Sequence, residues 1–386
     1  MSSRRSKVRL GIVGLGNMGQ AHCKWVSKLP AYQLSAVCES DKKRLSKVAE
    51  RYEVEGYTGV ADLLDAQVCD AVLIATPHFS HTPIGIAALK AGYHVLMEKP
   101  ISVDKAAAEQ LLRAHQNEDQ VFGAMFNQRT NPAYATIRQM LRDGELGEVR
   151  RIQWTITDWF RSQAYYDSGG WRATWAGEGG GVLLNQCPHQ LDLLQWMFGM
   201  PSQVRAFCEF GKQHDIEVED EVTAFLTYPN GASGVFTTST GEAPGTNRLE
   251  VACENGLLNY DASTSYILWQ RNAKSVSRAI AENRGFEKPE LATHKIRVRG
   301  QGAQHVGILK NFAAAIQRKE TLLAPAKEGI GSVELANAML YSTWRDQAVD
   351  LPLSSRAYAN QLKKRIAGGR VKADVDADVA DLAGSF

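Results

Sequence analysis

Short apolar runs alternate with longer amphipathic segments in the first third of the chain. Four of these runs predict buried strands: residues 7–13, 33–37, 70–75 and 93–97. The segments between them, such as residues 20–28 and the stretch that begins near His81, predict helices. Regular alternation of strand and helix is typical of a doubly wound parallel sheet, which binds ligands at the carboxyl ends of its strands. We therefore predict an α/β domain over residues 1–126.

The pattern changes after this first domain. A helix is predicted from Arg129 to about Asp143, and residues 151–159 alternate between apolar and polar in the manner of a strand. Several further strand-like runs lie between residues 203 and 268 and are separated by turns rich in glycine and asparagine. This pattern predicts a meander of antiparallel strands. Within it, the acidic run Glu219–Glu221 is expected to form a solvated turn.

The C-terminal third mixes irregular and helical patterns. Residues 270–302 look irregular and basic and are expected to fold over a cleft, whereas helices are predicted at 304–318 and 330–346. The second domain is therefore placed at 127–353. Residues 354–386 are rich in Ala, Lys and Asp without a clear apolar face, which predicts a mobile tail or an arm for oligomer contacts.

Composition excludes several classes of protein. A length of 386 residues suggests two domains, and 44% apolar with 22% charged residues is ordinary for a globular protein. The net charge of +2 gives no strong field for nucleic acid or an anionic membrane, so neither is expected as a partner. The longest uncharged run, residues 71–89, contains two prolines and two histidines and does not resemble a membrane span.

The N-terminus and the cysteines point to the cytoplasm. Arg9 interrupts the first apolar run, and a glycine-rich sequence follows in place of a small-residue cleavage site. The six cysteines are widely spaced and contain no Cys-x-x-Cys pair. Buried, reduced thiols are therefore expected, with neither a disulfide framework nor a metal site.

A glycine fingerprint follows the first predicted strand. Its sequence is Gly14-Leu15-Gly16-Asn17-Met18-Gly19, with a helix expected directly after it. Such glycines permit a tight turn and let a pyrophosphate approach the N–H groups at the helix end, so all but Leu15 are candidate cofactor-binding residues. Glu39 lies twenty residues beyond Gly19, where a carboxylate can bind the adenosine ribose and would repel a 2′-phosphate. NAD is therefore favoured, although Ser40 and the basic residues beside it keep NADP as an alternative.

Two later strand ends carry polar residues. Thr76, Pro77 and His81 are candidates to line the nicotinamide side of the cofactor, and His81 could equally cap its helix. The strand that ends at Met97 is followed by Glu98-Lys99-Pro100. Because a residue before proline is held extended, the amine of Lys99 is expected to project from the edge of the sheet, with Glu98 able to steady it or tune its pKa.

One stretch, residues 179–192, combines three glycines with a helix that bears polar groups. Asn185, His189 and Asp192 are spaced so that they share one helix face, and Pro188 fits only near the start of that helix. An amide, an imidazole and a carboxylate on one stripe suit a polar ligand. A buried His189 held by Asp192 for purely structural reasons fits the same spacing equally well.

The order of these motifs resembles that of the Gfo/Idh/MocA oxidoreductase family, over about residues 7–352. The resemblance implies a Rossmann domain followed by an α/β domain with a large open mixed sheet, assembled as a homodimer or homotetramer. It also implies that Lys99 and His189 face the nicotinamide. Asn185 stands where the family usually carries aspartate; because an amide cannot take a proton, proton transfer would fall to His189 with help from Lys99. Asp192 would hold the imidazole, and Asn127 is a further cofactor-binding candidate.

A cluster of tryptophan and arginine precedes the predicted catalytic helix. Indoles pack on sugar rings, and guanidinium groups bind hydroxyls, carboxylates or sulfonates. Packing of the same residues on the protein core is the alternative, and base stacking with single-stranded nucleic acid is disfavoured by the near-neutral charge. The candidate substrate contacts are Arg129, Trp159, Arg161, Trp171, Arg172, Trp175 and, from the resemblance, His305.

The leading functional hypothesis is an NAD-dependent dehydrogenase that oxidises a secondary hydroxyl of a sugar, glycoside or cyclitol. A second hypothesis is a glycosidase that uses NAD transiently, through a keto-sugar, elimination, hydration and reduction back to the alcohol. A third is a catalytically silent sensor, since a fold alone does not fix function. Retention of both Lys99 and His189 argues against the third hypothesis.

Overall fold

The N-terminal apolar runs form a six-stranded parallel sheet. The computed structural model describes residues 6–370 and residue 372. The strands are β1 (Val8–Val13), β2 (Tyr32–Cys38), β3 (Glu55–Tyr57), β4 (Ala71–Ile74), β5 (His94–Met97) and β6 (Phe122–Ala124). Their order is β3-β2-β1-β4-β5-β6, and every pairing is parallel. The chain reverses its direction of winding between β1 and β4, which is where a doubly wound sheet binds its ligand.

Helices connect these strands as the sequence predicted. They are α1 (Asn17–Val26), α2 (Lys42–Tyr52), α3 (Val60–Asp65), α4 (His78–Lys90) and α5 (Lys105–Ala114). Helix α4 begins three residues before the predicted start at His81. Pro77, in extended backbone geometry, occupies the N-cap position, so that His78 is already helical.

The second sheet has nine strands. They are β7 (Val149–Ile156), β8 (Gln203–Phe210), β9 (Glu219–Thr227), β10 (Ser233–Ser239), β11 (Asn247–Cys253), β12 (Gly256–Asp261), β13 (Tyr266–Asn272), β14 (Leu291–Arg297) and β15 (Val349–Asp350). Their order is β14-β13-β12-β11-β7-β10-β9-β8-β15. Only β7 and β10 pair in parallel; the other pairs are antiparallel. This confirms an open mixed sheet beside a Rossmann domain.

Helices cover one face of the second sheet. Those of this half are α6 (Pro132–Arg142), α7 (Gln163–Asp167), α8 (Pro188–Phe198), α9 (Val276–Glu282), α10 (Gln304–Arg318), α11 (Gly329–Arg345) and α12 (Ser355–Ala367), with 3-10 turns at Asn127–Thr130 and Ala326–Glu328. Apolar side chains of α8 and α11 join the inward-facing strand residues in one core. The opposite face stays uncovered, and Phe207 and Phe225 are 56% and 49% exposed on it.

The N-terminal core is completed by a C-terminal segment. Leu309 and Phe312 of α10 pack in the same cluster as strands β1 to β6. The Tyr32 hydroxyl of β2 also donates a hydrogen bond to the Leu309 carbonyl at 2.6 Å. The Rossmann unit therefore depends on residues far beyond position 126, although its strands all precede that point.

Three expectations about the second half were wrong. Residues 270–302 contain the ordered elements α9 and β14. Glu219 and Asp220 are fully buried, because they lie at the start of β9 and accept hydrogen bonds from backbone N–H groups of neighbouring loops. Residues 355–367 form α12, and Tyr358 within it is fully buried and stacks on Trp344; only residues 371 and 373–386 of the expected tail lie outside the described residues.

Candidate active site

The glycine fingerprint forms the turn between β1 and α1. Gly14 has a φ of +88°, and a Cβ there would lie 2.6 Å from the Ala75 carbonyl oxygen. A Cβ at Gly19 would lie 1.8 Å from the Gly14 oxygen, whereas no heavy atom lies within 4 Å of one placed at Gly16. The N-cap of α1, Gly16, has no capping side chain. The first-turn N–H groups, including those of Asn17 and Met18, therefore suit the diphosphate of a dinucleotide.

Glu39 lies at the end of β2 beside this turn. Its Oε2 atom accepts a hydrogen bond from Leu15 N at 2.8 Å and pairs with Arg44 at 3.3 Å, and Ser40 Oγ donates to Oε1 at 3.2 Å. Burial alone would raise the pKa of Glu39, but the backbone donors and Arg44 lower it. The position therefore carries a negative charge, which would repel the 2′-phosphate of NADP.

Lys99 and Glu98 project beyond β5 in different directions. Lys99 Nζ donates to the backbone oxygen of Asn185 at 2.7 Å, whereas Glu98 Oε1 lies 2.7 Å from His22 Nε2. Burial alone would raise the pKa of Glu98, but His22, His305 and Lys99 lower it to about 2. The carboxylate therefore influences the Lys99 ammonium through its charge. Its direct hydrogen bonds go to His22 and to the Lys99 backbone N–H.

His189 lies in the first turn of α8, directly after Pro188, which occupies the predicted position at the helix start. Its ring is buried, and its Nδ1 atom has no hydrogen-bond partner among the described residues. Burial, together with the nearby positive charge of Lys99, lowers the pKa of His189 well below its ordinary value. The imidazole is therefore neutral at pH 7 and has a nitrogen that can accept a proton.

Asn185 precedes α8, so the prediction that it shares one helix face with His189 was wrong. It lies in the turn formed by residues 181–187, and its side-chain amide donates to the carboxylate of Glu178. The other Glu178 oxygen accepts a hydrogen bond from Ala173 N at 2.6 Å. Burial raises the pKa of Glu178, and nearby Arg172 opposes that rise. A buried carboxylate is therefore present beside Asn185.

Asp192 does not contact the His189 ring in the way that the sequence suggested. Both of its carboxylate oxygens bind Arg129, at 2.7 Å to Nε and 2.6 Å to Nη2. Arg129 Nη1 also pairs with Glu328. Although burial would lower the pKa of Arg129, these two carboxylates raise it. Because its guanidinium is fully buried and committed to these pairs, the prediction that Arg129 binds substrate was wrong.

The residues after β4 do not all line the nicotinamide side as predicted, because His81 is bound to the backbone. His81 Nδ1 lies 2.7 Å from the Pro100 oxygen and Nε2 lies 2.8 Å from the Thr76 oxygen. Because burial lowers the pKa of His81, the neutral ring donates a hydrogen bond to one of these oxygens and only contacts the other. His81 therefore ties two loops together and is neither a helix cap nor available to a cofactor. By contrast, Thr76 Oγ1 is buried without a hydrogen-bond partner among the described residues, and Pro77 lies next to it.

Asn127 and His305 meet at the junction of the two domains. Asn127 Nδ2 donates to Gln304 Oε1 at 2.8 Å and lies 3.4 Å from His305 Nδ1, while its Oδ1 atom is buried without a hydrogen-bond partner in the described chain. The His305 ring stacks on Trp25 of α1 at 4.7 Å, and burial lowers its pKa to about 4. Asn127 therefore retains an unused acceptor close to the Rossmann helices.

Most of the tryptophan and arginine cluster gathers around Tyr165. The guanidinium carbon atoms of Arg161 and Arg172 lie 5.1 and 4.6 Å from the centre of its ring. Trp171 packs edge-on against His78 at 5.9 Å, and Trp159 Nε1 is buried without a partner among the residues described. Trp175 is instead 4% exposed and contacts Phe210 and Trp344, so its predicted role in substrate binding was wrong.

Sequence reasoning missed Glu178 and Tyr165. Tyr165 accepts hydrogen bonds from Arg172 at 2.9 Å, Gln186 at 3.3 Å and Asn185 at 3.4 Å. Glu178 stands seven residues before Asn185, in the glycine-rich turn itself. A charged residue among glycines was the available signal, because a side chain in such a turn lies close to whatever the turn approaches.

The structure combines a parallel dinucleotide-binding sheet with an open mixed sheet, and a lysine and a neutral histidine lie at their junction. These features define a two-domain nucleotide-dependent oxidoreductase. The chain belongs to the Gfo/Idh/MocA family. Residues 8–126 match the family model for the NAD-binding Rossmann fold, and residues 134–259 match that for the GFO/IDH/MocA C-terminal domain. The cofactor of this domain is NAD.

Known proteins are similar along most of the chain. Inositol 2-dehydrogenase from Rhizobium meliloti (strain 1021) is 25% identical over 353 residues, which cover 89% of this chain and 99% of that protein. The WlbA dehydrogenase from Chromobacterium violaceum, solved with NADH and UDP-GlcNAcA, has a TM-score of 0.78 at 25% identity and covers 92% of this chain and 98% of its own. The structure of levoglucosan dehydrogenase with NADH and levoglucosan has a TM-score of 0.75 at 20% identity. The match covers 90% of this chain and 100% of the levoglucosan dehydrogenase chain, and it shows that the two proteins share a fold.

Within the described residues, no helix is both long and apolar enough to cross a membrane. The six cysteines, all buried, are free thiols.

Proposed function

We propose that this protein oxidises a secondary hydroxyl group of a sugar, glycoside or cyclitol and transfers the hydride to NAD. The observation that carries the proposal is the hydrogen bond between Lys99 Nζ, beyond the carboxyl end of β5, and the Asn185 backbone oxygen in the turn that leads to His189 at the start of α8. Similarity to inositol 2-dehydrogenase and to levoglucosan dehydrogenase supports a polyhydroxylated substrate.

In the proposed reaction, His189 removes the hydroxyl proton. Its buried ring is neutral, and its unpartnered Nδ1 atom can hold that proton. The Lys99 ammonium donates one hydrogen bond to the Asn185 carbonyl and has further N–H groups to polarise the substrate oxygen. The Asn185 amide, fixed by Glu178, orients this carbonyl. Bound NAD supplies the hydride acceptor.

Residues of both domains would hold the cofactor. Gly16, Asn17 and Met18 would present backbone N–H groups to the diphosphate, and Gly14 and Gly19 would permit the close turn that this needs. Glu39 with Ser40 lies where the adenosine ribose is expected. On the nicotinamide side, the unpaired atoms Thr76 Oγ1 and Asn127 Oδ1 suit a carboxamide, and Pro77 and Glu98 border this region. His81 is left out of this set because both of its ring nitrogens lie against backbone oxygens.

Replacement of His189 by alanine tests the proposal. A general base contributes about 10²–10⁴ in rate, so His189→Ala should lower kcat by about that factor. His294→Ala is a matched control, because His294 is exposed on β14 at the edge of the second sheet. A loss of less than about threefold in His189→Ala would remove this residue from the reaction.

Redox-assisted cleavage of a glycosidic bond would use the same residues. An assay that follows NADH and released aglycone together separates this alternative from net oxidation.

A further inference from the structure

Two arginines near the proposed catalytic residues form no salt bridge with a carboxylate among the described residues. Arg161 Nη1 donates to the Phe160 carbonyl at 2.8 Å, and Arg172 Nη1 donates to the Tyr165 hydroxyl at 2.9 Å. The Nε atoms of both arginines are buried without a hydrogen-bond partner in the part of the chain that the structure describes. A desolvated guanidinium edge without an acceptor is costly, so a ligand is the natural source of the missing acceptor.

Aromatic rings hold both guanidinium groups in place. Arg172 lies between Tyr165, at 4.6 Å, and Trp171, at 4.7 Å. Arg161 lies 5.1 Å from the Tyr165 ring centre and 5.8 Å from that of Trp159. Aromatic rings at these distances restrain the guanidinium groups, and a restrained guanidinium can bind a planar anion through two N–H groups.

Hydrogen bonds through Tyr165 and Asn185 link Arg172 to Lys99. The Tyr165 hydroxyl, which accepts a hydrogen bond from Arg172, also accepts one from the Asn185 amide at 3.4 Å. The Asn185 carbonyl in turn accepts the hydrogen bond from Lys99 Nζ at 2.7 Å. Arg172 and Lys99 therefore belong to one connected set of hydrogen bonds.

The local charge balance is positive. Lys99, Arg161 and Arg172 contribute three cations, and Lys372 Nζ donates to the Arg172 carbonyl at 3.1 Å. Two buried carboxylates lie near these cations: Glu98 accepts a hydrogen bond from the Lys99 backbone N–H, and the two oxygens of Glu178 accept hydrogen bonds from Ala173 and Asn185. The cations still outnumber the carboxylates. An excess of cations in a water-poor site favours a ligand that brings negative charge.

We propose that Arg161 and Arg172 form a subsite for an anionic substituent, a carboxylate or a phosphate, on the sugar substrate. This inference rests on the proposed function and names its substrate class. The diphosphate of NAD is not the anion in question, because its place is the glycine turn of the Rossmann domain. The arginines belong to the segment between β7 and α8 of the other domain.

Matched pairs of neutral and anionic substrates test the subsite. The pairs are glucose with glucuronate, galactose with galacturonate, glucose with glucose 6-phosphate, and myo-inositol with myo-inositol 1-phosphate. A charge-assisted hydrogen bond contributes about 1.5–3 kcal/mol, so kcat/KM should favour the anionic member of at least one pair by about 10- to 100-fold. The favoured pair shows whether the group is a carboxylate or a phosphate.

Variants assign this preference to the arginines. Arg161→Gln/Arg172→Gln should abolish the preference, Arg161→Lys/Arg172→Lys should keep part of it, and Arg271→Gln, on an exposed position of β13, should leave it unchanged. Quenching of NADH fluorescence in the enzyme–NADH complex by the same compounds measures binding without turnover. Anion-selective binding that needs the arginines supports the subsite even if no compound is oxidised.

Three results would overturn the subsite. Oxidation of neutral sugars without any preference for an anionic partner would refute it and leave the proposed dehydrogenase intact. An increase in KM for NAD rather than for the sugar in the glutamine variant would assign the arginines to the cofactor. Absence of anion-selective effects in both turnover and fluorescence would likewise refute it.

Discussion

The Asn185 backbone lies beside Lys99, and Glu178 supplies a buried carboxylate next to the Asn185 side chain. The Asn185 amide donates to Glu178, and the two side chains therefore form an amide–carboxylate pair. An aspartate at 185 would instead place two carboxylates in contact, which favours protonation of one of them. The Asn185 side chain thus binds the Glu178 carboxylate while its backbone oxygen accepts the hydrogen bond from Lys99 Nζ.

This pairing predicts the outcome of exchanging the two groups. Glu178→Gln loses a charge-assisted hydrogen bond of about 1.5–3 kcal/mol and should lower kcat/KM by roughly tenfold or more. Asn185→Asp should also lose activity, because it creates a carboxylate pair. The double variant Glu178→Gln/Asn185→Asp restores one amide and one carboxylate and should recover most of the loss. If the double variant were as impaired as the product of the single effects, the two residues would not act as a pair.

Local motifs made some of the site predictable from the sequence. The glycine fingerprint, Glu98-Lys99-Pro100 and the turn before His189 are contiguous, and each follows a recognisable strand or precedes a helix. The partner of Asp192 was not predictable, because Arg129 lies 63 positions earlier and pairs with it only once the chain has folded. The contacts of His81 were not predictable either, because they are made with backbone oxygens, which the pattern of side chains does not reveal.

At the scale of elements, α8 is the helix on which the site depends. It carries His189 near its start and is tied through Asp192 to Arg129 of the 3-10 turn at Asn127–Thr130. Arg129 reaches further to Glu328, just before α11. The ion pair therefore joins three elements around the helix that positions the proposed base.

Removal of Arg129 should destabilise the fold rather than weaken substrate binding. Arg129→Met leaves the Asp192 carboxylate buried without its partner, which typically costs about 3–5 kcal/mol. Urea unfolding should show this loss, whereas Arg278→Met, which removes an exposed pair with Glu282, should cost less than about 1 kcal/mol. KM for the sugar should change little in the folded fraction of Arg129→Met. If Arg129→Met were as stable as the wild type but had a greatly raised KM for the sugar, Arg129 would be assigned to substrate binding instead.

The C-terminal elements show how tertiary contacts override weak patterns. Helix α12 has few apolar residues, yet Tyr358 and Leu362 are buried against the body of the protein. No clear apolar face is visible in the sequence there, because Tyr358 and Leu362 are the two buried positions of this thirteen-residue helix. Helix α10, in contrast, was predicted with its observed bounds, since apolar residues recur along it at helical spacing.

At the scale of the whole molecule, the uncovered face of the second sheet remains to be explained. Phe225 pairs across the strands with Arg205 of β8 and Val235 of β10, and Phe207 pairs with Thr223. Phe207, Phe225 and Val235 form an apolar patch on strands β8 to β10, toward one edge of the sheet. We propose that it binds a second copy of the chain, in a dimer or a tetramer.

Charge placed on this face should separate the subunits. Phe225→Glu would bring a carboxylate into the proposed contact, and sedimentation or light scattering should then give the mass of a monomer. Phe286→Glu is the control, because Phe286 is fully exposed in the loop before β14, away from this patch. A wild-type protein that is monomeric at micromolar concentration would refute the proposed association.

The central claim is net hydride transfer from a sugar hydroxyl to NAD. The most direct test incubates the purified protein and NAD with free sugars, cyclitols and chromogenic glycosides, and records NADH and released aglycone together. If the protein is a dehydrogenase, NADH should rise in step with substrate loss, and His189→Ala should suppress this rise. Aglycone that appears while NADH stays flat, and only when NAD is present, would contradict this claim and identify a redox-assisted glycosidase.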